Sequence, residues 1–208
     1  MLIVPKIYKI IGNKGCNSYI VEASEGLIII NTGYLGSEQA IIDYIDAQVG
    51  ASPDDVVYLI ITHARRNCAE AAPDLLAYCE NAKLVIHEKE YALFKKITFM
   101  SEELEKIIIE GDIAKLGRNI EIIFTPGYTP GSISVIFNGS IFSGGLIYID
   151  QRGFKLPAQA YDKKLLLQSL RKLINSVKFE NIFPTYGKYL VGNANQKLRA
   201  FIKAVTGE

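Results

Sequence analysis

The sequence lacks the features that define several common classes of protein. Its three cysteines, Cys16, Cys68 and Cys79, are odd in number and widely spaced, which argues against the disulfide framework of a small secreted domain. No apolar run approaches the roughly 20 residues of a membrane-spanning helix. The formal net charge is only +1, so bulk electrostatics indicates neither nucleic acid nor an anionic membrane as a partner. We therefore expect a soluble cytoplasmic protein.

Tryptophan is absent, whereas isoleucine and lysine are frequent, which indicates either a thermophilic source or an A+T-rich genome. Apolar residues make up 49% of the chain and charged residues 22%, as expected for a packed globular protein. A chain of 208 residues suits one large domain. We therefore predict a single domain over residues 1–208.

Short β-branched runs and stretches of helical periodicity alternate in each half of the chain. Strands are predicted at Ile7–Ile11, Ser18–Glu22, Leu27–Asn31, Val56–Ile61, Leu84–Ile86, Ile120–Phe124, Ile133–Phe137, Ser140–Phe142 and Asn181–Phe183. Helices are predicted at Gly36–Val49, Ala69–Glu80, from about Glu88, Asp162–Val177 and Asn193–Val205. The order of these elements indicates a layered α/β architecture in which helices cover the sheets.

Five stretches follow one another in order along the chain: NSYIVEASEGLIIINTG, LIITHARRNCAEAAPDLL, IEIIFTPGYTPGSISVIF, SIFSGGLIY and ENIFPTYG. Together they resemble the metallo-β-lactamase fold superfamily from about Asn17 to Gly187. The most distinctive stretch is TPGYTPGS, which lies between two predicted strands and downstream of a Thr-His strand end. The resemblance implies a four-layer αββα sandwich with a metal site at one edge, where loops from the two sheets meet.

Most positions at which the superfamily holds its metal ions carry other residues in this chain. In the superfamily's T-H-x-H-x-D-H motif only His63 is retained. Arg65 stands at the second histidine position, Asn67 at the aspartate position and Cys68 at the last histidine position. A guanidinium has no lone pair to donate and keeps its positive charge, so Arg65 opposes a metal ion.

The later ligand positions are substituted as well. Tyr128 stands at the histidine position of TPGHTPGS, Gly145 at the bridging aspartate position and Tyr186 at the late histidine position, while Asn31 replaces the aspartate of the early D-T-G turn. A metal site needs three or four protein donors placed together. We therefore expect no cofactor and no dinuclear metal site, although His63 and Cys68 leave room for one weakly held zinc ion.

His63 allows two interpretations, and Cys68 allows two besides that of a zinc ligand next to His63. His63 is either a strand-end histidine with local hydrogen bonds, which we favour, or a surviving metal ligand. Cys68 is either a buried packing residue, which we favour, or a nucleophile for which His63 acts as base. Cys16 and Cys79 are interpreted as packing residues, and His87 as a hydrogen-bonded residue at a strand end.

The resemblance also places Arg65, Tyr128 and Tyr186 around the former active-site cleft, together with His63 and Asn67. Such a cleft could hold a small anion, or the tyrosine rings could fill it, which we favour. The resulting hypothesis is a non-catalytic binding or scaffolding protein that associates with itself or with an active relative. Its alternatives are a module that binds a small anionic ligand, and a residual hydrolase with one metal ion or a Cys68 nucleophile.

Overall fold

The structure, a computed structural model, describes residues 1–100 and 104–207. The chain divides into two compact units, Met1–Ile109 and Glu110–Glu208. Each unit contains one β-sheet and its own helices, so the predicted α/β class is confirmed. No described helix has both the length and the hydrophobicity needed to cross a bilayer.

The first unit is built on a seven-stranded sheet in which the strands follow chain order. Its strands are β1 (Leu2–Val4), β2 (Ile7–Lys9), β3 (Tyr19–Glu22), β4 (Leu27–Ile30), β5 (Val56–Ile60), β6 (Lys83–His87) and β7 (Lys106–Ile109). Strands β1 to β4 pair in antiparallel fashion, and β4 to β7 pair in parallel. Parallel neighbours need a crossover connection, and the helices of this unit supply it.

The helices of the first unit are α1 (Glu38–Tyr44), α2 (Arg66–Ala69), α3 (Ala72–Tyr78) and α4 (Glu88–Thr98). The helix predicted at Gly36–Val49 is shorter than expected, because a π-helical turn at Ile45–Val49 follows α1 and ends at Gly50, whose φ is +73°. The apolar faces of these helices cover the isoleucine- and leucine-rich sheet.

The helix predicted at about Ala69–Glu80 is shorter in the structure: α3 begins at Ala72 and ends at Tyr78, and the separate short helix α2 ends at Ala69. The carbonyl of Gly33 accepts hydrogen bonds from the amides of Glu70 (3.1 Å) and Ala71 (3.4 Å), which draws this part of the chain toward the loop after β4. Pro73 lies at the start of α3, where its missing N–H group costs nothing. The predicted helix therefore began too early, because this long-range contact separates α2 from α3.

The second unit contains a six-stranded sheet. Its strands are β8 (Ile113–Leu116), β9 (Ile120–Phe124), β10 (Ile133–Phe137), β11 (Ser140–Asp150), β12 (Gly153–Lys155) and β13 (Asn181–Gly187), and its helices are α5 (Lys163–Ser176) and α6 (Ala194–Thr206). The strand order is β12-β11-β10-β9-β8, with β13 pairing in parallel with β11. The apolar faces of α5 and α6 pack in one cluster with side chains of β11 and β13.

Strand β11 is much longer than the predicted Ser140–Phe142. It continues through Gly144 and Gly145, a pair that favours a turn by local pattern, because β13 pairs with it on both sides of this point. The register shifts between Phe142 and Gly144 and again before Tyr148, as in a bulged strand. Gly145 therefore lies within a strand.

Candidate functional site

In the first unit, the loop after β5 begins with a chain of buried hydrogen bonds. The side-chain oxygen of Asn31, at the end of β4, accepts from the Thr62 backbone amide and from the Thr62 hydroxyl, both at 3.0 Å. The Thr62 hydroxyl also lies 2.9 Å from His63 Nδ1. A hydroxyl has one proton, so Thr62 donates to Asn31 and accepts from His63. The proton of the His63 ring is therefore on Nδ1.

His63 is held in its neutral form. Its side chain is fully buried, and burial, followed by the positive charge of Arg65, lowers the pKa of His63 to about 3. An imidazole with this pKa is uncharged throughout the physiological range and is a weak base. The structure therefore places His63 in a local hydrogen-bond network, which agrees with the favoured interpretation of this residue.

The two arginines after His63 have different environments. Arg65 is half-buried and directly precedes α2. Arg66 is exposed, pairs with Glu70 one helical turn away and lies 6.0 Å from the centre of the Phe99 ring. Arg65 is therefore the member of the pair whose charge acts on the buried loop.

Asn67 and Cys68 both make contacts within the first unit. The Asn67 amide donates to the carbonyl oxygen of Gly15 at 3.4 Å, a bond that an aspartate could not donate. Cys68 is fully buried, its thiol lies 3.7 Å from the Asn67 side-chain oxygen, and its carbonyl accepts from Thr32. Cys68 is thus enclosed within the first unit, and Asn67 connects α2 to the loop between β2 and β3, where Gly15 lies.

The second unit brings together Tyr128, Gly145 and Tyr186. The rings of Tyr128 and Tyr186 meet edge to face, with centroids 6.1 Å apart. A Cβ atom added at Gly145 would overlap Cδ1 and Cε1 of the Tyr128 ring and would lie 2.6 Å from its Cγ. The Tyr128 ring thus occupies the space that a side chain at position 145 would need.

The backbone around Tyr128 is fixed by the TPGYTPGS turn. The Thr129 amide donates to the Ser132 hydroxyl at 2.9 Å, and the Tyr128 carbonyl accepts from the Tyr161 amide at 3.1 Å. Gly127 has a φ of +127°, and a Cβ atom there would overlap the backbone of Leu166 in α5. The turn is therefore closely packed against the start of α5, which sets the direction of the Tyr128 ring.

The sequence-predicted site residues thus form two groups, one in each unit. His63, Arg65, Asn67 and Cys68 lie in the loop and short helix after β5, and Tyr128, Gly145 and Tyr186 lie on the turn and strands of the second unit. Within residues 1–100 and 104–207, no three His, Cys, Asp or Glu side chains are grouped so that they could hold a metal ion.

Two buried polar residues of the first unit were not predicted as part of the site. Thr62 connects Asn31 to His63, and Glu90 in α4 accepts a hydrogen bond from the Ala64 amide at 2.6 Å. The Thr-His pair offered a signal for Thr62. Glu90 offered none, because an acidic residue in the first turn of a helix is usually exposed and only interacts with the helix dipole.

Comparison with known proteins agrees with this fold. The sequence model of the metallo-beta-lactamase superfamily matches residues 11–64. An N-acyl homoserine lactonase of Bacillus thuringiensis is 25% identical over 203 residues, which cover 81% of this chain and 79% of the lactonase. A probable metallo-hydrolase of Methanocaldococcus jannaschii is 30% identical over 148 residues, which cover 70% of this chain and 64% of that protein.

Among solved structures, a metallo-beta-lactamase family protein from Thermus thermophilus matches with a TM-score of 0.70 and 14% identity, over 98% of this chain and 80% of that one. At this identity the match bears on the fold alone, and it confirms the fold predicted from the sequence. Taken together, the comparisons show that the chain has the metallo-β-lactamase fold and that its sequence is similar to members of that superfamily.

The contact between Tyr128 and Gly145 leads to a test by double-mutant cycle. Gly145→Ala should destabilise the protein by about 1–3 kcal/mol through overpacking, because the new methyl group overlaps the ring. In a Tyr128→Ala background the same substitution should cost far less, since the ring is gone. Urea unfolding of the two single variants and the double variant measures this coupling.

Tyr186→Ala is the control for Tyr128→Ala. It also removes a tyrosine ring, but none of the atoms nearest to position 145 belongs to Tyr186. In the Tyr186→Ala background, Gly145→Ala should lower the free energy of unfolding as much as it does in the unmodified protein. Equal costs of Gly145→Ala in all three backgrounds would contradict this packing of the Tyr128 ring over Gly145.

The lowered pKa of His63 predicts a defined pH dependence of stability. Between about pH 6.5 and pH 3 the unfolded chain binds a proton at this residue and the folded protein does not, so the free energy of unfolding falls as the pH is lowered, by up to about 1.4 kcal/mol per unit. Above about pH 6.5, His63 does not contribute to the pH dependence of the free energy of unfolding. His63→Gln should reduce the acid-side slope in urea unfolding, and the His63 ring proton should not titrate between about pH 8 and pH 5 in NMR spectra.

Arg65 is the second cause of this lowered pKa, so Arg65→Ala should raise the pKa of His63 while leaving it below the ordinary value, because burial remains. Arg66→Ala is the matched control and should leave it unchanged. A His63 resonance that titrates near its ordinary pKa of about 6.5 in the unmodified protein would contradict the burial of the ring and the effect of the Arg65 charge.

Proposed function

We propose that this protein is a superfamily member without the dinuclear metal site and acts as a metal-independent binding protein. The observation that carries the proposal is the Tyr128 ring, which lies in the space of a side chain at position 145. The superfamily resemblance assigns that position to the aspartate that bridges the two metal ions. A carboxylate placed there would first have to displace the ring.

The first unit supports the same proposal by its charge. Asn31 and Asn67 are neutral amides at positions where the superfamily has aspartates, and Asn67 donates to the Gly15 carbonyl. Arg65 adds a permanent positive charge beside His63, and that charge contributes to the lowered pKa of His63. Zinc and iron sites need several donor atoms placed together, from neutral imidazoles and from negatively charged thiolates or carboxylates. These residues do not fit a pair of divalent metal ions.

Metal analysis tests the proposal directly. Protein produced in medium supplemented with zinc, iron and manganese, and purified without chelator, should contain well below one equivalent of each metal by inductively coupled plasma mass spectrometry. Its melting temperature should not change on addition of EDTA. A full equivalent of any transition metal, removed by EDTA with loss of stability, would overturn the proposal.

A second candidate, residual hydrolase activity, is favoured by the lactonase relatives, which share 25% identity with this chain over 203 residues. N-acyl homoserine lactones are therefore the first substrates to assay, with and without added zinc, beside the Bacillus lactonase as positive control. We expect no turnover above that of a His63→Ala variant. Turnover that depends on His63 and on zinc would favour the residual hydrolase over the binding protein.

The ligand class that we propose is a small anion at Arg65. The support is that Arg65 is half-buried, that its positive charge reaches the neutral His63, and that no acidic residue remains at positions 31 or 67. A guanidinium in such surroundings binds carboxylate or phosphate through paired hydrogen bonds. Association with itself or with an active relative remains part of the scaffolding hypothesis.

Thermal shift measurements with phosphate and with small carboxylates test the anion hypothesis. The anions that raise the melting temperature should lose their effect in Arg65→Ala. They should keep it in Arg66→Ala, whose exposed side chain is paired with Glu70. An equal loss in both variants would indicate screening of surface charge, and the hypothesis of a site at Arg65 would then fail.

A further inference from the structure

Glu90 is a buried carboxylate that the proposed function has not used. It lies in the first turn of α4 with a fully buried side chain, and it is the only buried Asp or Glu in residues 1–100 and 104–207. Its Oε2 atom lies 2.6 Å from the backbone nitrogen of Ala64. Ala64 is the residue between His63 and Arg65, so the carboxylate binds the centre of the candidate loop.

Burying a carboxylate is costly. Removing an ionised group from water costs several kcal/mol unless hydrogen bonds and opposite charges compensate for it. A short bond from a backbone amide to a carboxylate is among the stronger compensating interactions, and the start of an 11-residue helix adds a favourable dipole. The loop amide at Ala64 is thus one of the groups that make this burial tolerable.

The position of Glu90 in α4 shows that the bond is not an ordinary helix cap. His87 is the N-cap residue of α4, and its ring nitrogen Nδ1 accepts from the Lys89 amide at 3.2 Å. Glu90 is the third residue of the helix, from which a glutamate usually bonds back to the N-cap amide. Here it bonds to Ala64, so α4 is connected to the loop after β5 through this side chain.

Holding the Ala64 amide restricts the backbone on both sides of it. The peptide between His63 and Ala64 cannot rotate without breaking the bond to Glu90, and the next residue is Arg65, which directly precedes α2. Ala64 itself is buried, which leaves the loop little freedom to adjust. The directions in which His63 and Arg65 leave the backbone therefore depend on Glu90.

We propose that Glu90 is a positioning residue that holds the His63–Arg65 loop in the conformation in which Arg65 binds an anion. The role in anion binding rests on the proposed function of Arg65, whereas the role in holding the loop does not. Glu90 acts through the Ala64 amide and need not contact the ligand.

Three variants test this role. Glu90→Ala removes the acceptor, Glu90→Gln keeps an acceptor of the same shape without the charge, and Glu88→Ala is the matched control, since Glu88 is exposed in the same helical turn. Two NMR signals, both recorded at neutral pH, report on the loop. One is the Ala64 amide proton, and the other is a carbon-bound proton of the His63 ring. Binding of inorganic phosphate is measured on the same samples.

In Glu90→Ala both signals should move and phosphate binding should weaken by at least about tenfold. Glu90→Gln should restore phosphate binding to within about threefold of the unmodified protein, while its Ala64 amide proton moves upfield because the bond has lost its charge. Glu88→Ala should resemble the unmodified protein. If Glu90→Ala fails to fold, Glu90→Gln still reports on the bond through the Ala64 amide.

Unchanged Ala64 and His63 signals in Glu90→Ala, or an unchanged Ala64 signal in Glu90→Gln, would overturn the positioning role. If the unmodified protein binds no phosphate or carboxylate, the anion site at Arg65 fails, and the two NMR signals still decide whether Glu90 holds the loop. A change in phosphate binding with no change in either signal would mean that Glu90 acts only through its charge, which would also overturn the proposal.

Discussion

The hydrogen-bond chain from Asn31 through Thr62 to His63 is the interaction on which the rest of the candidate site in the first unit depends. These three residues are buried where β4 and β5 end, and buried polar groups need partners within the protein. Asn31 accepts two bonds from Thr62, and the Thr62 hydroxyl accepts from His63. A neutral imidazole makes all the hydrogen bonds of this network, so the geometry requires no positive charge on His63.

The requirement that buried polar groups be paired also explains the surrounding contacts. The buried Glu90 accepts from the Ala64 amide, whereas the contact from Asn67 to the Gly15 carbonyl lies at the surface. In the second unit the hydroxyls of Thr129 and Ser132 lie 2.6 Å apart within the turn that carries Tyr128. Side chains at or near the positions that the resemblance assigns to metal ligands thus make hydrogen bonds that connect loops and helices. Packing also contributes in the second unit, where the Tyr128 ring lies over Gly145.

The sequence predicted regular elements well where local pattern decides them. Strands β9 and β10 have the bounds predicted from their β-branched runs, and α5 lies within one residue of its predicted range at each end. The prediction was wrong where a distant contact decides the structure. The contact with the Gly33 carbonyl delays the start of the helix predicted at about Ala69–Glu80 until Ala72, and pairing with β13 extends β11 through Gly144 and Gly145. Strands β1, β7, β8 and β12 were not predicted, because runs of three or four residues give a weak periodic signal.

The sequence by itself determined the class of fold, and its resemblance to the superfamily predicted which residues stand at the metal-ligand positions, because the motifs are local in the chain. It could not determine what those residues contact. Whether Tyr128 lies over Gly145, whether Asn67 donates to Gly15 and whether Glu90 is buried against Ala64 depend on residues that are 17, 52 and 26 positions apart. Only the tertiary structure decides such contacts, because burial and hydrogen-bond geometry arise when separate strands, turns and helices pack together.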